Sequence, residues 1–330
     1  MAIIGKNLET ACELLIAGGV VAIPTETVYG LAGNALSEEA VDKIYTTKNR
    51  PKNNPLIVHI SDINYLQEYV KSIPLAAVKL SEKFWPGPLT MLLPKGSPVI
   101  DGVTAGLPNV AVRMPAHPLT LELLNMLPFP LAAPSANPYG YISPTTARHV
   151  NKQLGDKIKY ILDGGPCREG IESTIVGFDD EMAVIYRKGV ITPDDIKKVT
   201  GSVKFNQNPE HKHITSGMSP SHYSPKTSVC LTGDINNLNI TLPSENIGLL
   251  TFKNTFPITS RRKQIALSPK GDLAEAAKNL YEALHKLDSM HLDLIIAEYV
   301  PDEGIGIAIN DRLIRAAHKI IAEENHINKK

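Results

Sequence analysis

Between Gly19 and Ile60 the chain alternates apolar runs with polar breaks in an order that points to a layered α/β fold. Gly19-Gly-Val-Val-Ala-Ile23 is a short apolar run of the kind that forms a buried strand. It stops at Pro24-Thr25-Glu26-Thr27, four residues without apolar periodicity. Ser37 then precedes a segment with Glu38 and Glu39 in its first turn and Ala40, Val41, Ile44 and Tyr45 at helical spacing, which predicts a capped helix. That helix runs into Lys48-Asn-Arg50-Pro51, where the proline ends it, and Pro55-Leu-Ile-Val-His-Ile60 predicts a second strand. Polar groups therefore gather at the mouths of two strands, where α/β proteins place their ligands. A lone Lys-x-Arg is more often a solvated helix end favoured by the dipole. Flanked by Pro-Thr-Glu-Thr and Asn-Asn-Pro, this one reads as a ligand site.

The remaining chain continues in the same alternation. Asn7 caps a predicted helix from Leu8 to Ala17, ended by Gly18-Gly19. Asp62 to Leu80 reads as helical with a break at Pro74. Phe84-Trp85-Pro-Gly-Pro88 forms a corner before a strand at Leu89–Leu93, and the tryptophan reads as a packing anchor. Asn109-Val-Ala-Val-Arg-Met-Pro115 alternates as a strand with Arg113 inside it. A cation there needs a partner, and an ion pair with a carboxylate and an anion clamp stand equal on the residues alone. Leu131-Ala-Ala-Pro-Ser135-Ala-Asn137 follows another strand, Ser143 is placed to cap a helix begun by Pro144, and Thr192 opens a capped helix ending at Gly201.

Residues 202–226 shift to Asn, Pro, His, Ser and Lys and read as a linker, so residues 1–201 form one domain and residues 227–330 another. His211 and His213 within the linker read as a solvated pair rather than a metal site. The last domain shows short strands and an amphipathic helix from Leu273 to Met290, which predicts a small doubly wound, Rossmann-like α/β unit.

Composition removes several function classes. The 330 residues carry 34 basic and 34 acidic side chains, a formal net charge of zero, and 5% aromatics, so no global field favours nucleic acid or membrane. Cys12, Cys167 and Cys230 lie too far apart for a metal or disulfide pattern, and a reducing cytosol suits them. The first ten residues do not read as a signal peptide and no apolar run is long enough to span a bilayer. Gly164-Gly-Pro-Cys-Arg-Glu-Gly170 lacks the Lys-Ser/Thr of a Walker loop. What remains is a set of cations, hydroxyls and amides, suited to a phosphate-rich ligand and a small carboxylate without covalent catalysis.

Pro24-Thr-Glu-Thr-Val-Tyr-Gly-Leu31 with Lys48-x-Arg50-Pro-x-x-Asn54-Pro-Leu-Ile-Val-His-Ile60 resembles the YrdC-like family. Ser135-x-Asn137, Gly170-Ile-Glu-Ser173-Thr174-Ile-Val, Ala183-Val-Ile-Tyr-Arg187-Lys-Gly189 and His222-Tyr223-Ser-Pro extend the match to the long form of that family, the threonylcarbamoyl-AMP synthases. Where that family often carries an acid after a strand, this chain has Gly177. The resemblance implies a YrdC/RibB-like twisted mixed sheet with helices, and a cytoplasmic nucleotidyltransferase. The implied reaction condenses L-threonine, bicarbonate or CO₂, and ATP carrying Mg²⁺, into threonylcarbamoyl-AMP and pyrophosphate. Partner proteins then modify tRNA, with at most weak direct RNA binding by this chain. By the same resemblance Thr27, His59, Arg113, Ala133 (through its backbone) and Ser173 correspond to the threonine pocket. Lys48, Arg50, Asn54, Asn109, Ser135, Asn137, Ser143, Arg187 and Tyr223 correspond to the ATP contacts, with Lys48 and Arg50 as the catalytic pair and Tyr223 in a lid. Two rival readings are a double-stranded RNA-binding module and a carbamoyltransferase using carbamoyl phosphate.

Overall fold

The structure, a computed structural model, describes residues 1–206, 223–233, 235, 246–254 and 263–321. The chain forms two compact units. The first is Met1–Tyr139 with Ser143–Pro220, and the second is Gly140–Ile142 with Ser221–Lys330.

In chain order the first unit contains β1 (Ile3–Gly5), α1 (Leu8–Ile16), β2 (Val21–Ile23), β3 (Gly30–Asn34), α2 (Glu38–Lys48) and β4 (Ile57–His59). There follow α3 (Leu66–Tyr69), α4 (Leu75–Phe84), β5 (Leu89–Pro94), α5 (Asp101–Thr104), β6 (Asn109–Arg113), α6 (Pro118–Met126) and β7 (Leu131–Ala132). The unit closes with α7 (Ala147–Leu154), β8 (Tyr160–Leu162), β9 (Thr174–Asp179), β10 (Met182–Arg187), α8 (Pro193–Thr200) and β11 (Val203–Phe205). Its strands join in one mixed sheet in the order β1-β8-β2-β3-β7-β4-β6-β5-β9-β10-β11. β4 and β6 run parallel in the middle, while β7, β5 and β10 are antiparallel to their neighbours β4, β6 and β9.

The caps follow the sequence. Asn7 and Ser37 each accept from a backbone N–H two residues inside α1 and α2, and Thr192 makes a capping box with Asp195. Alternation along the central strands splits their side chains. Val58, Met91, Val112 and Val176 enter the main core, whereas Ile57, Leu92, Ala111 and Ile175 form a smaller apolar strip on the opposite face.

Three expectations give way. β3 is unforeseen, because Gly-Leu-Ala-Gly-Asn has weak strand propensity. Its glycines are there for contact: a Cβ at Gly33 would lie 3.2 Å from Ile44 of α2, and one at Gly30 would lie 3.2 Å from Ala133. The first domain does not end at 201, since β11 pairs in parallel with β10. Residues 207–222 of the expected linker, with His211 and His213, lie outside the described residues. Ser143 is not a helix cap. α7 starts later, and Thr146 accepts from His149 N at 3.2 Å instead.

The second unit contains β12 (Val229–Thr232), β13 (Ile247–Thr251), β14 (Lys263–Ala266), α9 (Leu273–Asp288), β15 (Leu294–Glu298), α10 (Gly306–Ala316) and β16 (Lys319–Ile321). All its strand pairs are parallel, in the order β14-β13-β15-β12-β16. Ala276, Ala277, Leu280, Tyr281, Leu284 and Leu287 of α9 are buried at helical spacing.

Candidate functional site

The loop from Pro24 to Tyr29, between β2 and β3, is buried throughout. Such a loop must satisfy its own backbone. Thr25 Oγ1 does much of this, donating to Val28 O at 2.6 Å and accepting from the N–H groups of Thr27 and Val28 at 3.2 Å. The neighbours supply the rest: Glu169 N donates to Glu26 O at 2.8 Å, Tyr29 N to Pro144 O at 2.9 Å, and Ala136 N to Tyr29 O at 2.8 Å. The loop is thus the hub on which the Ser135, Ser143 and Ser173 segments converge.

Arg113 ends β6 on the same sheet face as Ala111, and His59 sits in register beside it at the end of β4. The guanidinium is 4% exposed and is held from three sides. Its Nη2 donates to Glu26 Oε1 at 2.6 Å, Nη1 to Thr27 Oγ1 at 3.0 Å, and Nε to Gly87 O at 3.3 Å. Glu26 Oε2 accepts from Ala116 N at 3.0 Å, so both carboxylate oxygens are engaged. The ion pair and the clamp, equal from the residues alone, are not exclusive here: Glu26 aims a guanidinium that still has N–H donors to offer.

His59 is buried, and its Nδ1 has no hydrogen-bond partner. Burial, and then the charge of Arg113, push its pKa down to about 3, so the imidazole is neutral at physiological pH. Ala133 lies on β7's extension, its N–H donating to Ile57 O at 3.0 Å. Ser173, one residue before β9, shares a 2.7 Å hydrogen bond with Thr90 of β5. Arg187 donates to Ser173 O from Nε (3.1 Å) and Nη2 (2.9 Å), and from Nη2 to Ser173 Oγ at 3.0 Å. The register of β10 against β9 shifts at Ile185/Arg187, an irregularity of the kind that re-aims a side chain.

The cations after α2 are no solvated helix end. Lys48 is 1% exposed, and its ammonium donates to the carbonyls of Ser135 (2.5 Å) and Asn137. Burial, then the neighbouring charge of Arg50, hold its pKa well below the usual lysine range. Arg50 is 6% exposed and donates to Asn54 O (3.0 Å), Asn54 Oδ1 (2.6 Å) and Pro55 O (2.8 Å), with its guanidinium 6.0 Å from the centre of the Tyr139 ring. Asn49, in the left-handed conformation, turns the chain at the C-cap just before Arg50. Ser143 Oγ donates to Glu172 Oε1 at 2.7 Å, both buried.

Asn109 and Tyr223, two further implied ATP contacts, have these settings. Asn109 begins β6, whereas Arg113 ends it, which separates them by about 13 Å of strand. Asn109 instead lines a cavity of about 230 Å³ with Pro94, Gly177, Asp180 and Tyr186. A side chain at Gly177 would meet the Tyr186 ring at 2.6 Å, which accounts for the missing acid. Tyr223 is a core residue of the second unit, 1% exposed, its ring 5.7 Å from that of Tyr281 and 5.4 Å from the Arg312 guanidinium.

Glu26, Thr90, Glu172 and Tyr139 join the site without having been assigned to it. Thr90 had a signal, as the polar exception in Leu-Thr-Met-Leu-Leu, and both acids sit inside quoted motifs. Tyr139 had none. Among the described residues, no group of three or more His, Cys, Asp or Glu is placed to hold a metal ion.

Residues 13–189 match the Sua5, YciO and YrdC family, described as telomere recombination. Residues 191–318 match the family described as the C-terminal domain of threonylcarbamoyl-AMP synthase. The Bacillus subtilis threonylcarbamoyl-AMP synthase is 41% identical over 94% of this chain and 93% of its own. The chain belongs to the threonylcarbamoyl-AMP synthase family. The Schizosaccharomyces pombe synthase is 37% identical, covering 93% of this chain and 86% of its own. Pyrococcus abyssi Sua5, solved in complex with L-threonine, superposes with a TM-score of 0.88 at 35% identity, over 97% of this chain and 99% of that one. Family membership makes the chain a transferase of the nucleotidyltransferase kind, in tRNA modification, with a YrdC-like domain. No helix among its described residues is long and apolar enough to cross a membrane.

Proposed function

We propose that this chain condenses L-threonine, bicarbonate or CO₂, and ATP into threonylcarbamoyl-AMP and pyrophosphate, which partner proteins use to modify the adenosine beside the tRNA anticodon. The observation that carries this reading is the L-threonine complex of the Pyrococcus relative, which matches this chain nearly end to end. The geometry supports a division of labour. Arg113, aimed by Glu26 and Thr27, takes the threonine carboxylate, because a fixed guanidinium fork suits a planar anion. Neutral His59 beside it offers an acceptor to the threonine hydroxyl or amine, and Ser173 stands across the face on Thr90.

The amine nitrogen then bonds to the carbon of CO₂ and loses a proton; from bicarbonate, water leaves. An oxygen of the new N-carboxylate bonds to the α-phosphorus of ATP. The bond from that phosphorus to the bridging oxygen breaks, and pyrophosphate leaves with the electron pair. Such a step asks for positioning and charge neutralisation. Lys48, Arg50 and Arg187 supply positive charge in a buried setting, where it acts more strongly than in water. Mg²⁺ carried by the triphosphate would add charge neutralisation there. Hand-over to a tRNA-modifying complex in the cytoplasm completes the proposal.

Pyrophosphate release, measured with ATP·Mg²⁺, threonine and bicarbonate and with each omitted in turn, tests it. Release should need all of them. Equal turnover without threonine would overturn the reading, and turnover of carbamoyl phosphate in its place would favour the carbamoyltransferase.

A further inference from the structure

Within the first unit, polar side chains form a row across the ends of the neighbouring strands β4, β6, β5 and β9. His59 of β4 pairs in register with Arg113 of β6. Continuing the β5–β6 register one residue beyond Met91↔Val112 sets Thr90 opposite Arg113 on the same face. Ser173, just before β9, meets Thr90 from its other side. One step along the strands the same face turns apolar, with Ile57, Ala111, Leu92 and Ile175. Thr90 is therefore a hydroxyl in an otherwise apolar strand, 0% exposed, where an unused polar group is costly.

A serine hydroxyl has one hydrogen to give and two lone pairs with which to accept. Arg187 Nη2, which can only donate, occupies one lone pair of Ser173 Oγ at 3.0 Å. Its Nε and Nη2 also hold Ser173 O, at 3.1 Å and 2.9 Å, so the serine is fixed by backbone and side chain together. The other contact of Ser173 Oγ is the 2.7 Å bond to Thr90. Thr90 Oγ1 has no second hydrogen-bond partner among the described residues, so only Ser173 can take its proton. The opposite direction would leave a buried O–H without an acceptor. Thr90 therefore donates, and both lone pairs of Ser173 Oγ are filled. The hydrogen of Ser173 itself has no acceptor among the described residues.

We propose that Thr90 is a positioning residue of the amino-acid pocket: by giving its proton to Ser173 it leaves that hydroxyl a donor alone, aimed at an oxygen of the substrate. The proposal rests on the assignment of Ser173 to the threonine site. A carboxylate or hydroxyl oxygen accepts from such a donor. A protonated amine only donates, so it is turned away from the Ser173 end of the row. Thr90 thus helps to set which way round the amino acid lies, without touching it.

The test is calorimetric titration of L-threonine and L-valine into the full chain, as parent, Thr90→Val, Thr90→Ser, Ser173→Ala and the double variant Thr90→Val/Ser173→Ala. Thr90→Val keeps the shape of the side chain and removes the donor, whereas Thr90→Ser keeps the donor. Threonine should bind about tenfold more weakly to Thr90→Val, and within about twofold of the parent to Thr90→Ser. The double variant should bind no more weakly than Ser173→Ala, because Thr90 acts through that one hydroxyl. A loss in Thr90→Val for both ligands supports the proposal with a carboxylate oxygen as acceptor, and a loss for threonine alone supports it with the side-chain hydroxyl. Where Ser173→Ala weakens threonine binding, an undiminished Thr90→Val, an equal loss in Thr90→Ser or additive losses in the double variant would overturn the role of Thr90 alone. If Ser173→Ala binds threonine as the parent does, the assignment of Ser173 to the threonine site is wrong, and the proposal falls with it.

Discussion

In the first unit Lys48, Arg50, Arg113 and Arg187 are all 1–6% exposed, whereas Arg312 alone of the described lysines and arginines in the second unit is so buried. The settings differ as much as the numbers. Lys48 is held by carbonyls alone, Arg50 and Arg187 donate to carbonyl, amide and hydroxyl oxygens, and Arg113 has the carboxylate of Glu26. Arg312 lies against Asp311 and the Tyr223 ring, among parallel strands and an apolar helix stripe. Burying several like charges among mostly neutral acceptors is destabilising, and a fold retains it where an anion must be attracted. The contrast teaches that one unit keeps an electrostatic field and the other a packed core.

The sharpest way to break this contrast is to remove a charge from each kind of site. Arg113→Ala should lower kcat/KM about a thousandfold and destabilise the fold by about 3–5 kcal/mol, because Glu26 is left buried and unpaired. Asn310→Ala in the second unit, which breaks two backbone hydrogen bonds to Val300, should cost about 2 kcal/mol of stability with kcat/KM within about twofold. Steady-state kinetics and denaturant titration check both, and equal activity losses would erase the contrast.

Lys48→Met should reduce kcat/KM for ATP about a hundredfold, since it removes both charge and the tie to the Ser135–Asn137 loop. An effect on threonine KM alone would move Lys48 out of the nucleotide region. Arg50→Ala tests the burial of that residue. Three buried hydrogen bonds predict a loss of about 1–3 kcal/mol alongside the loss of activity, visible as a fall in melting temperature. An unchanged melting temperature would contradict the buried, hydrogen-bonded arrangement.

The smallest effect is a pH dependence. His59 titrates near 6.5 when unfolded and near 3 when folded, so between those values the unfolded chain holds the extra proton. Stability therefore falls as pH drops below about 6.5, by about 1.4 kcal/mol per unit from this group. His59→Gln should remove about 2 kcal/mol of the loss between pH 6.5 and pH 5, measured by urea unfolding against the parent. Identical pH slopes would show that His59 is not the buried neutral group described.

How legible the molecule was depends on whether the signal is local. Caps at Asn7, Ser37 and Thr192 are written in adjacent residues, and strand alternation placed Arg113 inside β6. The fold class, and the meeting of Thr27 and His59 with Arg113, followed from such signals with the family motifs. β3 was hidden because Gly30 and Gly33 were chosen for close approach to Ala133 and Ile44, a tertiary demand that propensity does not report. Burial of Lys48 and Arg50 was equally hidden, since it depends on carbonyls from a loop about ninety residues away and on a left-handed Asn49. The packing of Tyr223 against Tyr281 and Arg312, far along the chain, is a tertiary feature that its local motif does not report.

Calorimetric titration of L-threonine tests the central claim most directly, that the first unit's buried Arg113 receives the substrate carboxylate. The parent chain, Arg113→Lys and Asn310→Ala are compared at a temperature where all three are folded. Arg113→Lys keeps the charge and loses the fork, so threonine should bind at least about tenfold more weakly, while Asn310→Ala binds as the parent does. Undiminished threonine binding by Arg113→Lys would contradict the account.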